Sequence, residues 1–382
     1  MDNKFYITVR QPPKYHQMTF EEFLYSPDAN SYLISQNETN TKTYEVSYVS
    51  KTFMERVDIT YLVDVLRRFN EQTEDLRRVE RKTLYKEFFI PKKSGGLRKI
   101  DAPNNELMCA LRRLKTIFEK DFGALYHTSA FAYIPKRSVV DCMKRHQANE
   151  SKWFAKYDLS NFFGSTTLDF VMKMFGMVFP FSEIVQSDLW RAELEKAVEL
   201  AFFNGGLPQG TPVSPCITNI MMIPVDFKLS KMCRSHDEGK LIYTRYADDF
   251  QISSRCGFDY KSVESEISNV LNEYGASFKI NESKTRYGSS AGRNWNLGLM
   301  LNKDNKITVG HKKKERFRAM LSSFALDTIH GTQWSLEDVQ RLDGIRNYYK
   351  MVEGDVIDGI VKHVGKKYNM NIIAEIRKQL KG

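Results

Sequence analysis

Two carboxylates side by side at one turn constrain this chain more than any other feature. Asp248 and Asp249 lie in Tyr246-Ala247-Asp248-Asp249, between Leu241-Ile242-Tyr243-Thr244-Arg245 and Phe250-Gln251-Ile252-Ser253. The flanks are rich in Tyr, Ile, Phe and Thr and carry no helical stripe, so they predict two strands joined by a tight turn. Adjacent acids repel, and each raises the pKa of the other unless a positive charge intervenes. An isolated Asp-Asp is most often a solvated turn, since Asp is a common turn residue. A third acid in a matching setting argues otherwise. Asp158 follows the aromatic run Trp153-Phe154-Ala155-Lys156-Tyr157 and precedes Leu159-Ser160-Asn161-Phe162-Phe163, which predicts a buried strand that releases an acid at its end. Three carboxylates from neighbouring strands supply oxygen donors for a pair of hard divalent cations, and Mg2+ suits such a shell. A pair of this kind clamps the attacking and leaving oxygens of an in-line phosphoryl displacement, the chemistry of nucleotidyl transfer.

A third motif lies between the acids. Gly205-Gly206-Leu207-Pro208-Gln209-Gly210 breaks a helical stretch (residues 166–203) into a loop, and Thr211-Pro212-Val213-Ser214-Pro215 leads back into an apolar helix. Glycine lets backbone approach a base pair, and Gln209 can hydrogen-bond a sugar or base edge. In this order, Asp158, the Pro-Gln-Gly loop and the paired acids resemble the core of a reverse transcriptase. The bacterial form is the most similar, shared by group II intron maturases, retrons, diversity-generating elements and phage-defence enzymes. The resemblance spans residues 85–300.

It implies an α+β right-hand polymerase. The expected divisions are an N-terminal extension (1–80), fingers (81–157), a palm of antiparallel sheet plus helices (158–305, with a fingers insertion around 166–206) and a small helical thumb (306–382). It also implies RNA-directed DNA synthesis by two-metal transfer. Asp158, Asp248 and Asp249 are the catalytic acids, and Asp158, Leu159, Asp248 and Asp249 form the metal set for two Mg2+, with Mn2+ as the substitute. A template-independent DNA polymerase and a non-catalytic RNA-binding scaffold are the alternatives, and product sequence against added RNA discriminates them.

Further roles follow partly from residue type and partly from the resemblance. Glu87 to Pro103 reads as strand, Gly-Gly turn, strand, with Lys92, Lys93 and Arg98 around the tip. A basic hairpin of this kind is often only a solvated tip, but here it matches the flap that closes on the incoming nucleotide, with Arg98 as its planar fork. Phe163, five positions after Asp158, matches the ring under the sugar that leaves no room for a 2′-hydroxyl; Phe162 reads as core, because strand neighbours face opposite ways. Lys284 matches a lysine near the triphosphate, able to protonate the leaving pyrophosphate. Together with Gln209 these make up the nucleotide set. The primer and template set is Arg137, Ser138, Pro208, Gly210, Tyr246, Leu297, Gly298, Lys312 and Lys313. Ser138 reads equally as a plain helix N-cap.

Leu107 to Phe122 predicts a basic amphipathic helix, Val263 to Tyr274 a helix over the sheet, and Trp295 to Val309 a hairpin with its turn at Lys303–Asn305. Beyond His311, apolar positions recur at Phe317, Met320, Leu321 and Phe324, then at Val339, Leu342, Ile345 and Tyr349, the spacing of packed helices. Residues 1–80 carry no catalytic constellation. Phe20 to Tyr25 could begin a short helix, Thr43 to Val49 alternates like a strand, and Asp58 to Phe69 has helical spacing.

The 382 residues carry a net charge of +10, which favours a polyanionic partner. The expected partners are an RNA template, in particular a structured noncoding RNA, a DNA primer or product, and deoxynucleotides. A second copy or a defence effector protein are further candidates. Five scattered cysteines without a Cys-x-x-Cys pair suggest reduced thiols. Met1 to Tyr6 lacks a signal-peptide core, and no apolar run approaches membrane-spanning length, so the expectation is a cytoplasmic protein without membrane contact. Retron enzymes carry Asn-Ala-x-x-His before the first acid and Val-Thr-Gly at the primer grip. Here Cys142-Met143-Lys144-Arg145-His146 and Asn296-Leu297-Gly298 keep only the His and the Gly, a departure from the retron pattern. The chain stops soon after the thumb pattern, so the expected setting is a stand-alone enzyme with its own noncoding RNA, in a retroelement or in phage defence.

Overall fold

The computed structural model describes residues 6–7, 44–45, 57–91, 95–123, 126–236, 240–290 and 298–381. Lys92, Lys93 and Leu297, and the helix expected from Phe20, lie outside the described residues. Strand β1 (Tyr6–Ile7) pairs antiparallel with β2 (Tyr44–Glu45), inside the stretch whose alternation predicts a strand.

Helix α1 (Ile59–Gln72) begins where the Asp58 carboxylate accepts from the Tyr61 amide at 3.1 Å. Its apolar face, Leu62, Val63, Leu66 and Phe69, is buried in the main core. The later part of the expected extension therefore shares the core of the fingers and palm. Strands β3 (Tyr85–Pro91) and β4 (Leu97–Pro103) form the expected hairpin, with Phe88 opposite Ile100 and Ile90 opposite Arg98. Helix α2 (Asn105–Thr116) follows the Asn104 cap, buries Leu107, Leu111 and Leu114, and runs into a wide π-type turn (Ile117–Asp121) that buries Phe118. Helix α3 (Val139–Ala148) opens on a reciprocal capping box between Ser138 and Asp141.

Strand β5 (Trp153–Asp158) ends in the first acid. Phe162 and Phe163 do not continue it. Asn161 turns left-handed (φ 47°) and starts a short helical turn, Phe162–Ser165. The strand alternation expected for the two rings therefore fails, although the burial contrast survives: Phe162 is buried against Phe278, while Phe163 is half-buried. Helices α4 (Leu168–Phe175), α5 (Asp188–Glu199), α6 (Ser214–Met221) and α7 (Ile223–Arg234) carry the chain to β6 (Ile242–Tyr246) and β7 (Asp249–Ser254). Helix α8 (Tyr260–Tyr274) and β8 (Arg286–Ser289) complete the palm.

The four-stranded sheet has the order β6-β7-β5-β8, antiparallel throughout. Alternation divides its residues between two faces. Ala155, Tyr157, Tyr243, Phe250 and Ile252 pack into the core with helices α6 to α8, while Phe154 and Tyr246 join a smaller cluster with Val139, Met143, Leu299 and Val309. That cluster includes the expected hairpin, β9 (Met300–Leu301) with β10 (Ile307–Thr308).

Helices α9 (His311–Ile329), α10 (Leu336–Lys367) and α11 (Ile372–Lys381) form the thumb around its own core of Phe317, Leu321, Phe324, Val339, Leu342, Ile357 and Ile376. Helix α10 is broken at Glu353, whose carboxylate accepts from Thr308 Oγ1, the Val309 amide and Lys314 Nζ at 2.8–3.0 Å. The break faces the hairpin because that carboxylate collects donors from both ends of the palm-to-thumb crossing.

Candidate active site

The register places Asp158 directly opposite Asp249, and Tyr246 opposite Asp249 on the other side. Strands β6 and β7 are closed by Ala247 and Asp248, with Ala247 in the left-handed region (φ 58°). Further hydrogen bonds knit the acids together. The Leu159 amide donates to the Asp248 carbonyl at 3.1 Å, and the Asn281 amide donates to the Asp158 carbonyl at 2.7 Å. The second bond brings the short turn Glu282–Lys284 against the first acid, so that Lys284 Nζ reaches Asp158 Oδ2 at 2.8 Å.

Electrostatics follow from this crowding. Burial, then the neighbouring Asp249 and Asp158, push Asp248 up to about 6, against the opposing pull of its own amide N–H and of Lys156. Asp249 is also raised by burial, while Lys156 opposes the rise through a 2.6 Å bond to Oδ2. Lys156 lies two residues before Asp158, on the same face of β5, a relation legible from strand period but easily passed over beside the acids. Lys284 and Lys156 thus each hold one carboxylate, and Asp248 keeps the surplus charge.

The acids fit a hard divalent cation in donor type, since their side chains offer only oxygen, and in charge, since a cation would relieve the repulsion that raises Asp248. Among the described residues, however, no three His, Cys, Asp or Glu side chains are gathered into a ready-made cage. The two lysines supply the positive charge in this arrangement.

The Pro-Gln-Gly loop is docked on the turn that carries Phe163. The Leu207 amide donates to the Phe163 carbonyl at 2.9 Å, and Gly206 lies so close to Gly164 that an added Cβ would meet its carbonyl oxygen at 2.1 Å. Ser214, in the first turn of α6, donates through Oγ to the Pro208 carbonyl. Gly210 (φ 110°) faces Ile100 of the fingers hairpin, while Gln209 is half-buried. Arg98 is exposed on that hairpin. Tyr133 is exposed too, at positive φ, and feels both Asp248 and Arg98: burial and Asp248 raise its pKa, and Arg98 lowers it. Tyr133 thus lies within electrostatic reach of both the Arg98 hairpin and the Asp248 turn, a place that nothing in its local sequence marks.

Several expected nucleic-acid contacts are otherwise engaged. The Arg137 guanidinium donates to the carbonyls of Tyr126, His127 and Ala130, which makes it a strut for that loop. Ser138 is the helix cap, the simpler of its two readings. Lys313 Nζ donates to the Gly298 carbonyl at 2.7 Å and so ties the thumb entry to the segment before β9. Tyr246 packs against the same small cluster as Tyr348 and Val352 of the thumb. On the cluster side of the sheet, fully buried His146 bridges β6 and β7, with Nε2 2.8 Å from Thr244 Oγ1 and Nδ1 2.6 Å from Ser253 Oγ.

Residues 90–318 match the family model described as reverse transcriptase (RNA-dependent DNA polymerase). The chain belongs to the reverse transcriptase family. It is 26% identical to the retron Ec83 reverse transcriptase of Escherichia coli over 312 residues, covering 78% of this chain and 92% of that protein. Against the retron Mx65 reverse transcriptase of Myxococcus xanthus it is 26% identical over 297 residues, covering 74% and 65%. Among solved structures it aligns with apo telomerase from Candida tropicalis at 13% identity and a TM-score of 0.43, covering 79% of this chain and 64% of that one. The expected right-hand fold and RNA-directed DNA polymerase activity stand, and the chain is retron-like despite its departures at the two retron signatures. No helix among the described residues is long and apolar enough to cross a membrane.

Proposed function

We propose that this reverse transcriptase copies a structured noncoding RNA into DNA, with Asp158, Asp248 and Asp249 as its catalytic acids. The observation that carries the assignment is the convergence of β5 and the β6–β7 turn, which sets the three carboxylates beside Lys284 and the Phe163 turn. Asp158, Asp248, Asp249 and the Leu159 position would hold two Mg2+ or Mn2+ ions, which when bound activate the primer hydroxyl and neutralise the triphosphate. The 3′ oxygen attacks the α-phosphorus, and the bond to pyrophosphate breaks as the new phosphodiester forms. Arg98 orients the triphosphate with its fork, and Lys284, well exposed at the rim, gives a proton to the departing pyrophosphate. Phe163 lies under the sugar and excludes a 2′-hydroxyl, while Gln209 fixes the sugar or base edge. Lys312, exposed at the start of α9, tracks the duplex backbone, while Lys313 fixes that helix against Gly298.

The retron names of its relatives and its net charge of +10 support a cognate RNA as partner, in a retroelement or an anti-phage system. The test incubates purified protein, with the RNA that copurifies, with labelled deoxynucleotides and Mg2+, and sequences RNA and DNA. DNA complementary to one copurifying RNA is the expected product, whereas DNA unrelated to any RNA present would overturn templated synthesis. Asp248→Asn should abolish incorporation and keep RNA binding; an unchanged rate would remove Asp248 from the metal set.

A further inference from the structure

The catalytic turn is held from below by a residue with no part in the metal set. Arg245 is the last residue but one of β6 and is fully buried, as is Asp226 of α7. Its guanidinium grips Asp226 side-on, with Nε 2.8 Å from Oδ1 and Nη2 2.7 Å from Oδ2. Tyr243 donates to the same Oδ1 at 2.7 Å. The remaining nitrogen, Nη1, is shared between Asn219 Oδ1 at 3.0 Å and the carbonyl of Ala247 at 3.2 Å.

That carbonyl is the significant one. Ala247 is left-handed and buried, a conformation that an L residue holds only when its surroundings over-determine it. Its C=O and the N–H of Asp248 belong to one planar peptide group. A guanidinium held at the carbonyl end therefore fixes the rotation of the whole peptide and the direction in which the Asp248 side chain leaves it.

Arg245 also anchors the segment that carries Tyr133. Its amide donates to Ser129 O at 2.7 Å, and its carbonyl accepts from the Phe131 amide at 2.9 Å. Asn219, held by Nη1, donates to Ala132 O at 2.8 Å. One buried side chain thus bonds to the turn bearing Asp248 and, through Asn219, to the segment that leads into Tyr133.

We propose that Arg245 is a positioning residue for catalysis: paired with Asp226, it orients the Ala247–Asp248 peptide and hence the catalytic carboxylate. The inference rests on the reading of Asp248 as catalytic. Arg245→Lys keeps a charge beside Asp226 but cannot present the planar fork that reaches the acid, Asn219 and Ala247 together. Asp226→Leu with Arg245→Met replaces the buried pair by apolar volume, a change that cores often tolerate, and leaves the Ala247 carbonyl without this donor.

Both variants are compared with wild type and with Ile267→Ala, a core truncation in α8 that lowers stability without touching the turn. Urea melts report the folded fraction; steady-state synthesis on a primed RNA reports kcat and the KM for deoxynucleotide; filter binding reports affinity for the primed RNA. Expected for both Arg245 variants is a fall in kcat of about 10- to 100-fold per folded molecule, the effect of misplacing a reacting group by about 1 Å. KM and RNA affinity should stay within about twofold, and Ile267→Ala should keep kcat, since only mispositioning acts on the chemical step. Wild-type kcat in folded Arg245 variants, or a loss no larger than that of Ile267→Ala, overturns the proposal. So does failure of both variants to fold, since the pair would then be a folding requirement with no separable effect on the turn. An active Asp248→Asn in the same assay would sink the catalytic reading instead, whatever the Arg245 variants do.

Discussion

Gly205 and Gly206 are neighbours in one loop, yet replacing them by alanine should have unequal consequences. At Gly206 the added methyl would stand 2.1 Å from the Gly164 oxygen, 2.6 Å from its carbonyl carbon and 2.9 Å from its Cα, all backbone atoms that no rotamer change can move. Restoring van der Waals distance requires the loop and the Phe162–Ser165 turn to separate by about 1 Å, an overpacking strain of about 1–3 kcal/mol. Such a shift stretches the 2.9 Å bond from the Leu207 amide to the Phe163 carbonyl beyond bonding range, forfeiting about 1 kcal/mol more. On the proposed roles of Phe163 and Gln209, the two would then no longer meet the same nucleotide, and a 1 Å misplacement costs about 10²-fold in turnover. At Gly205 nothing lies within 4 Å, and the obstacle is only its φ of 79°, a left-handed strain of about 1–2 kcal/mol. Single-nucleotide incorporation on a primed RNA, together with urea melts, compares the two. Gly206→Ala should lose about 2–4 kcal/mol and about 10²-fold in kcat/KM, while Gly205→Ala should lose stability alone. Equal kinetic losses, or a Gly206→Ala enzyme with wild-type kcat/KM, would refute the idea that the loop is registered by contact with Gly164.

Two further predictions concern buried and half-buried rings. Burial holds both His127 and His146 down to about 3, so between about pH 6.5 and 3 the unfolded chain binds protons that the folded chain refuses. Stability therefore rises with pH across that window, and at pH 5 each histidine costs about 2 kcal/mol relative to neutrality. His146→Gln should flatten the plot of unfolding free energy against pH by about one proton below pH 6, while an unchanged slope would show that His146 takes up a proton in the folded protein. Phe163→Ala should admit ribonucleotides by removing the bulk that excludes the 2′-hydroxyl. The ratio of deoxynucleotide to ribonucleotide kcat/KM should fall about 10-fold or more, and an undiminished ratio would place the exclusion elsewhere.

Features that depend on near neighbours were open to reading in the chain. The aromatic and β-branched flanks of Asp248 and Asp249 marked two strands, and the apolar spacing after His311 marked the thumb helices, because pleat and helix repeat within a few residues. The Asp58 and Ser138 caps are local in the same sense. Phe162 and Phe163 show the limit of period: their burial contrast was expected, but the strand ends at Asp158 and Asn161 starts a helical turn in its place. Asn is the residue that enters the left-handed region most readily after glycine, so the signal was present. At Arg137 the charge was legible and its employment was not, since its three carbonyl partners belong to a loop whose path is set elsewhere.

By itself the sequence determined which chemistry was possible: oxygen-donor acids in the order Asp158, then Asp248 and Asp249, a glycine loop between them, and a basic chain suited to a polyanion. Only the tertiary structure decided how those acids are held. Lys284 meets Asp158 across 126 residues and Lys156 meets Asp249 across 93, and the buried grip of Arg245 on Asp226 and Ala247 needs a helix packed under a strand. A charge becomes a partner only when folding brings its opposite within a few ångströms and removes the water between them. Residue spacing cannot express that condition, and packing creates it.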